Sequence, residues 1–288
     1  MRIEATSLPA SGSVMPSAPI FLPAIQGEKV AALAITEPGT GSDVASIRTF
    51  ARREDGEYVV NGAKTFITNG VRADLYVTAV KTSKEGGHHG MSFLIVDTDQ
   101  DGYKASKLEK MGWHASDTGD IALEDVFVPE ENLLGRENEG FYLIMANFQW
   151  ERLAMALGAV GGMRNAFEMT AAFCKERVTF GKPISQHQVI RHKLVDIATT
   201  AYNARCITYD ALRRFVAGED PVQEVTMAKL ATQRASFDVM DACLQLHGGA
   251  GYMKEYGIER AARDARLGPI GGGSDEIMRE ILGKTLGF

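Results

Sequence analysis

The chain has 288 residues, 45% of them hydrophobic and 24% charged, and a net charge of −6. This is enough apolar material for one large or two ordinary domains, and the acidic balance gives no electrostatic basis for holding nucleic acid or an anionic membrane surface. The three cysteines, Cys174, Cys206 and Cys243, are widely spaced, which excludes a CxxC site or a disulfide framework, and no apolar run reaches membrane-spanning length.

Residues 1–28 are rich in Ala, Ser and Pro without periodicity and read as a loose lead-in. Residues 29–134 carry strand signals. KVAALAIT is a continuous apolar run closed by Glu37-Pro38-Gly39. In the next stretch Asp55-Gly56 and Asn61-Gly62 read as hairpin turns between alternating segments. DLYVTAV, MSFLIVDT and DIALEDVFVP add three strands, and the recurring turns predict an antiparallel barrel or sandwich. GTGSDVAS lacks the third glycine of GxGxxG and no helix-then-strand unit follows, so a dinucleotide fingerprint is rejected.

From residue 135 to 288 the pattern is helical. A first helix runs toward Arg177 and is broken at Gly181-Lys182-Pro183. Ser185 to Gln188 reads as a capping box opening a second helix, which ends near Val216 and Gly218. Asp220-Pro221 opens a third, ending at His247-Gly248-Gly249, and Ser274 caps a last one. The fold class is therefore α+β, an all-β domain followed by a helical bundle.

On the first of these helices, Ile144, Phe148, Glu151, Met155, Gly158 and Gly162 share a face at helical spacing. Glu151 is the one carboxylate on that stripe. Burial is costly to a carboxylate and raises its pKa, which suits a general base; the alternative is an ion pair with Arg152 or a distant arginine. AITEPGTGSD (34–43), QLHGGAGY (245–252) and IGGGSDEI (270–277) are Gly-rich and polar, able to bring backbone N–H groups close to an anionic or carbonyl ligand or simply to form turns and caps. KEGGHHG, with His88-His89, reads as a solvated loop without a third metal ligand.

AITEPGTGSD, NGAKTFITNG, RVTFGKPISQHQ, QLHGGAGY and IGGGSDEI resemble, in order and spacing, the acyl-CoA dehydrogenase family across about residues 21–288. The resemblance implies a flavoprotein oxidoreductase of fatty-acid metabolism and β-oxidation. Such an enzyme uses FAD to introduce a trans-2 double bond into a fatty or branched acyl-CoA, passes electrons to electron-transfer flavoprotein and assembles as a homotetramer, a dimer of dimers. It further implies a four-helix bundle at the C-terminus, a cytoplasmic or, in a eukaryote, mitochondrial-matrix location, and neither nucleic-acid binding nor membrane insertion. By the same resemblance Leu33, Thr36, Gly41 and Ser42 line the flavin, Ser42 also touching pantetheine; Phe66 packs on the isoalloxazine and Thr68 bonds near N5. Arg177, Thr179, Phe180 and Gln188 hold FAD, Gln245, Gly248 and Gly249 reach the FAD of a neighbouring subunit, and Ser274 and Glu276 contact the adenosine diphosphate portion of FAD. Arg152, Gly272 and Gly273 lie at the substrate, with the Gly272 N–H aimed at the thioester oxygen.

Many family members place the base in a YEG triplet, where this chain has Gly271-Gly272-Gly273. The isovaleryl and long-chain branches instead carry it in a segment reading ER-L, matched here by Glu151-Arg152-Leu153, so Glu151 is the base that the resemblance implies. Gly272 has no side chain to fill the alternative position. The family's N-terminal helical domain is matched only by FLPAIQGEK, which leaves a weakly active or inactive remnant acting as a binding protein as an alternative, alongside a flavin oxidase or monooxygenase relative.

Overall fold

The computed structural model describes residues 18–84 and 88–288. The chain packs as two units. The first runs through Glu109 and resumes over Ser116–Leu143; the second takes Lys110–Ala115 and Ile144–Phe288.

The first unit opens with a short helix, α1 (Ala18–Ile25), inside the stretch read as a loose lead-in. A sheet of eight strands follows: β1 (Ala31–Ala34), β2 (Phe50–Glu54), β3 (Glu57–Thr68), β4 (Leu75–Lys81), β5 (Met91–Asp97), β6 (Tyr103–Lys107), β7 (Thr118–Pro129) and β8 (Leu133–Leu134). The order is β6-β7-β3-β2-β4-β5-β8, with β1 alongside β4. It is an open sheet, not a closed barrel. Most pairs are antiparallel, but β1 and β2 both run parallel to β4. Tyr58, Val60, Tyr76, Leu94, Val96, Ile121 and Val126 fill its core. Asp55 and Gly56 form the β2–β3 turn with positive φ at both residues, as hairpin sterics require. Asn61-Gly62 is not a turn. It lies within β3, where the ladder to β7 slips a register, and Asn61 exchanges two hydrogen bonds with Asp125 across the strands. That cross-strand pairing satisfies the Asn side chain that would otherwise favour a turn.

The second unit is built on long helices: α2 (Gly140–Glu176, which starts in the first unit), α3 (Gln188–Val216) and α4 (Val222–His247), with a short α5 (Ile258–Ala265) and the closing α6 (Asp275–Leu286). Two-residue strands β9 (Val178–Thr179) and β10 (Lys182–Pro183) form a tight hairpin between α2 and α3. Met163, Ala166, Cys174, Ile197, Val239, Cys243 and Leu246 make the core. Two helix starts differ from expectation. His187 caps α3 and Pro221 caps α4, both without a side-chain bond, because Ile184–Gln186 coils into a 3-10 turn and Asp220 accepts from Gln149 instead. Ser274 caps α6 as its side chain accepts from the Ile277 N–H.

Lys110–Ala115 is a strap onto α5. The Trp113 amide donates to Asp264 Oδ1 at 2.5 Å, its indole N–H to the Asp264 carbonyl at 2.9 Å, and Arg263 donates to the Met111 carbonyl at 2.9 Å. Among the described residues no helix is long and apolar enough to cross a membrane. The loop reading of KEGGHHG rests partly on residues 85–87, which lie outside the described residues.

Candidate active site

The sequence-selected residues divide between the two units. In the first, β1 and the turn after it carry Leu33, Thr36, Gly41 and Ser42. Leu33 is half-buried in the β1–β4 pairing, Gly41 and Ser42 are exposed, and the Thr36 hydroxyl donates to the Thr65 carbonyl at 2.5 Å. The segment is anchored from below by Glu37, whose carboxylate accepts from the Arg48 and Thr49 amides at 2.6 and 3.0 Å and from buried Lys64 Nζ at 2.9 Å. Lys64 also donates to the Ile35 carbonyl at 3.0 Å. These three donors outweigh the cost of burial and hold the Glu37 carboxyl below its ordinary pKa, whereas burial pushes the Lys64 ammonium down to about 8. On β3 a second register slip falls between Lys64 and Ile67. It puts Phe66 at φ +60° and turns its ring outward, 71% exposed between buried Thr65 and Ile67. Bulges re-aim side chains in this way. Thr68 is exposed on the same strand.

In the second unit, Glu151 is half-buried on α2 and accepts from Asn147 Nδ2 at 2.7 Å. Burial raises its pKa; the Asn147 bond and the neighbouring Arg152 charge only moderate this. Glu151 lies on the shoulder of the helix, not in the core. Leu153, Ala156 and Met163 point inward instead, and Gly158 of the proposed stripe is exposed. The residue that is fully buried is its neighbour Arg152, 6% exposed, whose guanidinium lies over the Phe148 ring and donates from Nε to the Gly272 carbonyl at 3.4 Å. Lys229 on α4, fully buried, donates from Nζ to the next carbonyl, Gly273, at 2.5 Å. Gly272 and Gly273 have φ of +62° and +89°, a region that L side chains enter only at a cost. The space beside Gly272 is taken: a Cβ there would collide with Met155 Sδ, which corrects the expectation of a free position.

The other sequence-selected residues cluster at two places. At the β9–β10 hairpin, Phe180 is held at φ +50° and is 96% exposed, Arg177 and Gln188 are exposed, and the Thr179 hydroxyl meets His187 Nε2 at 3.4 Å. At the end of α4, Gln245, Gly248 and Gly249 are exposed. Glu276 is exposed in the first turn of α6, its pKa lowered by its own backbone N–H and by Ser274.

Sequence reasoning missed Glu37, Lys64 and Lys229. Lys229 had a usable signal: it interrupts the buried face of α4 formed by Val225, Thr232 and Ser236.

Two family models match the chain. One, described as acyl-CoA dehydrogenase, middle domain, covers residues 32–126; the other, acyl-CoA dehydrogenase, C-terminal domain, covers residues 138–287. An acyl-CoA dehydrogenase of Bacillus subtilis is 41% identical over 90% of this chain and 69% of its own length. The crystal structure of a probable acyl-CoA dehydrogenase from Mycobacterium abscessus superimposes with a TM-score of 0.90 at 47% identity, covering 92% of this chain and 70% of that one. An FAD complex of PigA superimposes with a TM-score of 0.91 at 27% identity, over 96% and 72%. The chain belongs to the acyl-CoA dehydrogenase family.

Proposed function

We propose that this protein is an FAD-dependent acyl-CoA dehydrogenase that forms the trans-2-enoyl thioester of a fatty or branched acyl-CoA, with Glu151 as the base. The observation that carries the reading is the placement of Glu151: a half-buried carboxylate of raised pKa, adjacent in the helix to an arginine bonded to the Gly272 loop. That position corresponds to the base of the isovaleryl-like and long-chain-like branch.

The exposed groups of each unit suit a flavin nucleotide. Phe66 and Phe180 hold aromatic faces out into solvent from left-handed backbone, a costly arrangement unless a flat partner covers them. Arg177 makes no ion pair among the described residues and is free for a phosphate. Thr68, Gln188 and Ser274 add donors. When bound, FAD supplies the acceptor for the substrate's β-hydride. The protein's part is to remove the α-proton and to stabilise the negative charge that builds on the thioester oxygen. Glu151 takes the proton. The Gly272 N–H donates to the oxygen, where a fixed donor acts most strongly because it needs no reorganisation. Electron-transfer flavoprotein is the acceptor we assign to the reduced state, and an acyl-CoA is the substrate.

The test is anaerobic titration of the FAD-loaded protein with a panel of acyl-CoAs, read by flavin absorbance. Glu151→Gln preserves shape and should slow bleaching by at least about a hundredfold, with FAD content and binding of product-like CoA esters retained. Bleaching of that variant at the parent rate would remove Glu151 from the chemistry.

A further inference from the structure

Arg152 and Lys229 are both buried, yet among the described residues neither forms an ion pair within 4.0 Å. A buried cation without an anion is costly, so its hydrogen-bond acceptors matter. Both cations spend a donor on the same short segment: Arg152 on the Gly272 carbonyl and Lys229 on the Gly273 carbonyl. Asp275, buried at the start of α6, and the exposed Glu276 beside it are the negative charges that act on Lys229, and Asp275 Oδ1 has no hydrogen-bond partner among the described residues. The loop is stitched at its ends by the Gly271 amide to Leu267 and the Asp275 amide to Pro269, at 2.9 and 3.0 Å. Between those stitches the N–H groups of Gly272, Gly273 and Ser274 donate to no acceptor among the described residues.

The carbonyls of this segment are thus drawn inward by two cations from two helices, while its N–H groups are left unused. Three glycines without side chains would otherwise sample many conformations, and fixing them is entropically expensive.

We propose that Lys229, together with Arg152, is a positioning residue that clamps the Gly272–Gly273 carbonyls and so holds the Gly272 N–H in its donating orientation. Lys229 touches neither substrate nor cofactor in this scheme. The inference rests on the reading of Gly272 as the thioester donor, and its test separates the two. Amide hydrogen exchange is measured on the FAD-free chain for peptides covering 270–275. Lys229→Met should raise exchange there about tenfold or more, read at the Gly271 and Asp275 amides whose bonds to Leu267 and Pro269 close the loop, the consequence of losing one charge-assisted hydrogen bond, with peptides from α3 unchanged. Lys229→Gln, which keeps an N–H donor, should fall between parent and Lys229→Met. In the FAD-loaded protein Lys229→Met should lower the limiting bleaching rate about tenfold while the concentration of acyl-CoA for half-saturation stays within about twofold. Parental exchange at 270–275 in Lys229→Met overturns the clamp, and so does a parental bleaching rate. If Lys229→Met does not fold, Lys229→Gln is read in its place: faster exchange confined to 270–275 supports the clamp and parental exchange overturns it. A parent protein that no acyl-CoA bleaches would defeat the proposed function, and the exchange experiment would still decide the clamp.

Discussion

Lys229 is a cation that its surroundings do not fully repay. Burial pushes its pKa down to about 8, with Arg152 adding to the fall and Asp275 and Glu276 opposing it. The unfolded chain, where an ordinary lysine titrates near 10.5, therefore binds more protons between those values, and folding gains stability as the pH rises through that window. Other groups act against this trend. Buried Cys174 and Cys243, with pKa values raised above 9, keep protons that the unfolded chain gives up, as Tyr76 and Tyr103 do above 10. A comparison of parent with Lys229→Met cancels those contributions. Between pH 8 and about 9.5 the parent should gain about 1.5 kcal/mol over the variant in urea unfolding. A flat difference would mean that Lys229 is not held as a buried cation. Lys64 is expected to behave in the same direction, but its bond to Glu37 joins two titrations, so its variant would report on the pair.

At the scale of elements, α2 and the loop before α6 act together. Many relatives by resemblance carry their base in this loop, yet here Met155 of α2 occupies the space beside Gly272 and the backbone there is left-handed. Moving the carboxylate, as in Glu151→Gly with Gly272→Glu, should therefore give no return of flavin bleaching. The new side chain costs roughly 1–2 kcal/mol for its backbone alone and meets the thioether as well. Adding Met155→Ala removes the collision, and any recovered bleaching should appear only in that triple variant; recovery in the double variant would show that Met155 yields freely. The long helices α2 and α3 were legible because each has extended apolar periodicity and a clear break, at Gly181 and Gly218, whereas the eight-residue α5 before this loop was missed because so short a segment shows too little periodicity. Glu151 was legible as a charge among apolar neighbours, though it proved to sit at the edge of the core. Its neighbour Arg152 could not be recognised as the more buried residue, since one step along a helix turns a side chain by about 100° and helical spacing alone does not fix where the core begins. In the sheet, Asn61-Gly62 misled because its turn chemistry is satisfied across strands. The outward turn of Phe66 depends on a register slip against β7, and no local sequence pattern records a partner that lies more than fifty residues away.

For the whole molecule, we propose that the exposed Gln245, Gly248 and Gly249 at the end of α4 meet a neighbouring subunit's FAD, as the family resemblance implies. FAD occupancy should then follow assembly. Size-exclusion fractions scanned at flavin wavelengths should carry FAD only in dimeric or larger species, and full occupancy in a strict monomer would remove that role. The return of Lys110–Ala115 to the helical unit was not readable, because it depends on Asp264, far along the chain. That strap has a temporal consequence. The chain passes from one unit to the other at Glu109, back at Ser116 and across again after Leu143. The bond from Trp113 to Asp264 closes a loop spanning 151 positions, and a ribosome must have made α2, α3, α4 and most of α5 before it can form. Until then the six strap residues, with Met111 and Trp113 among them, have no partner on α5. So distant a closure belongs to the slow class of folding events, and it makes the strap one of the last parts of the second unit to lock.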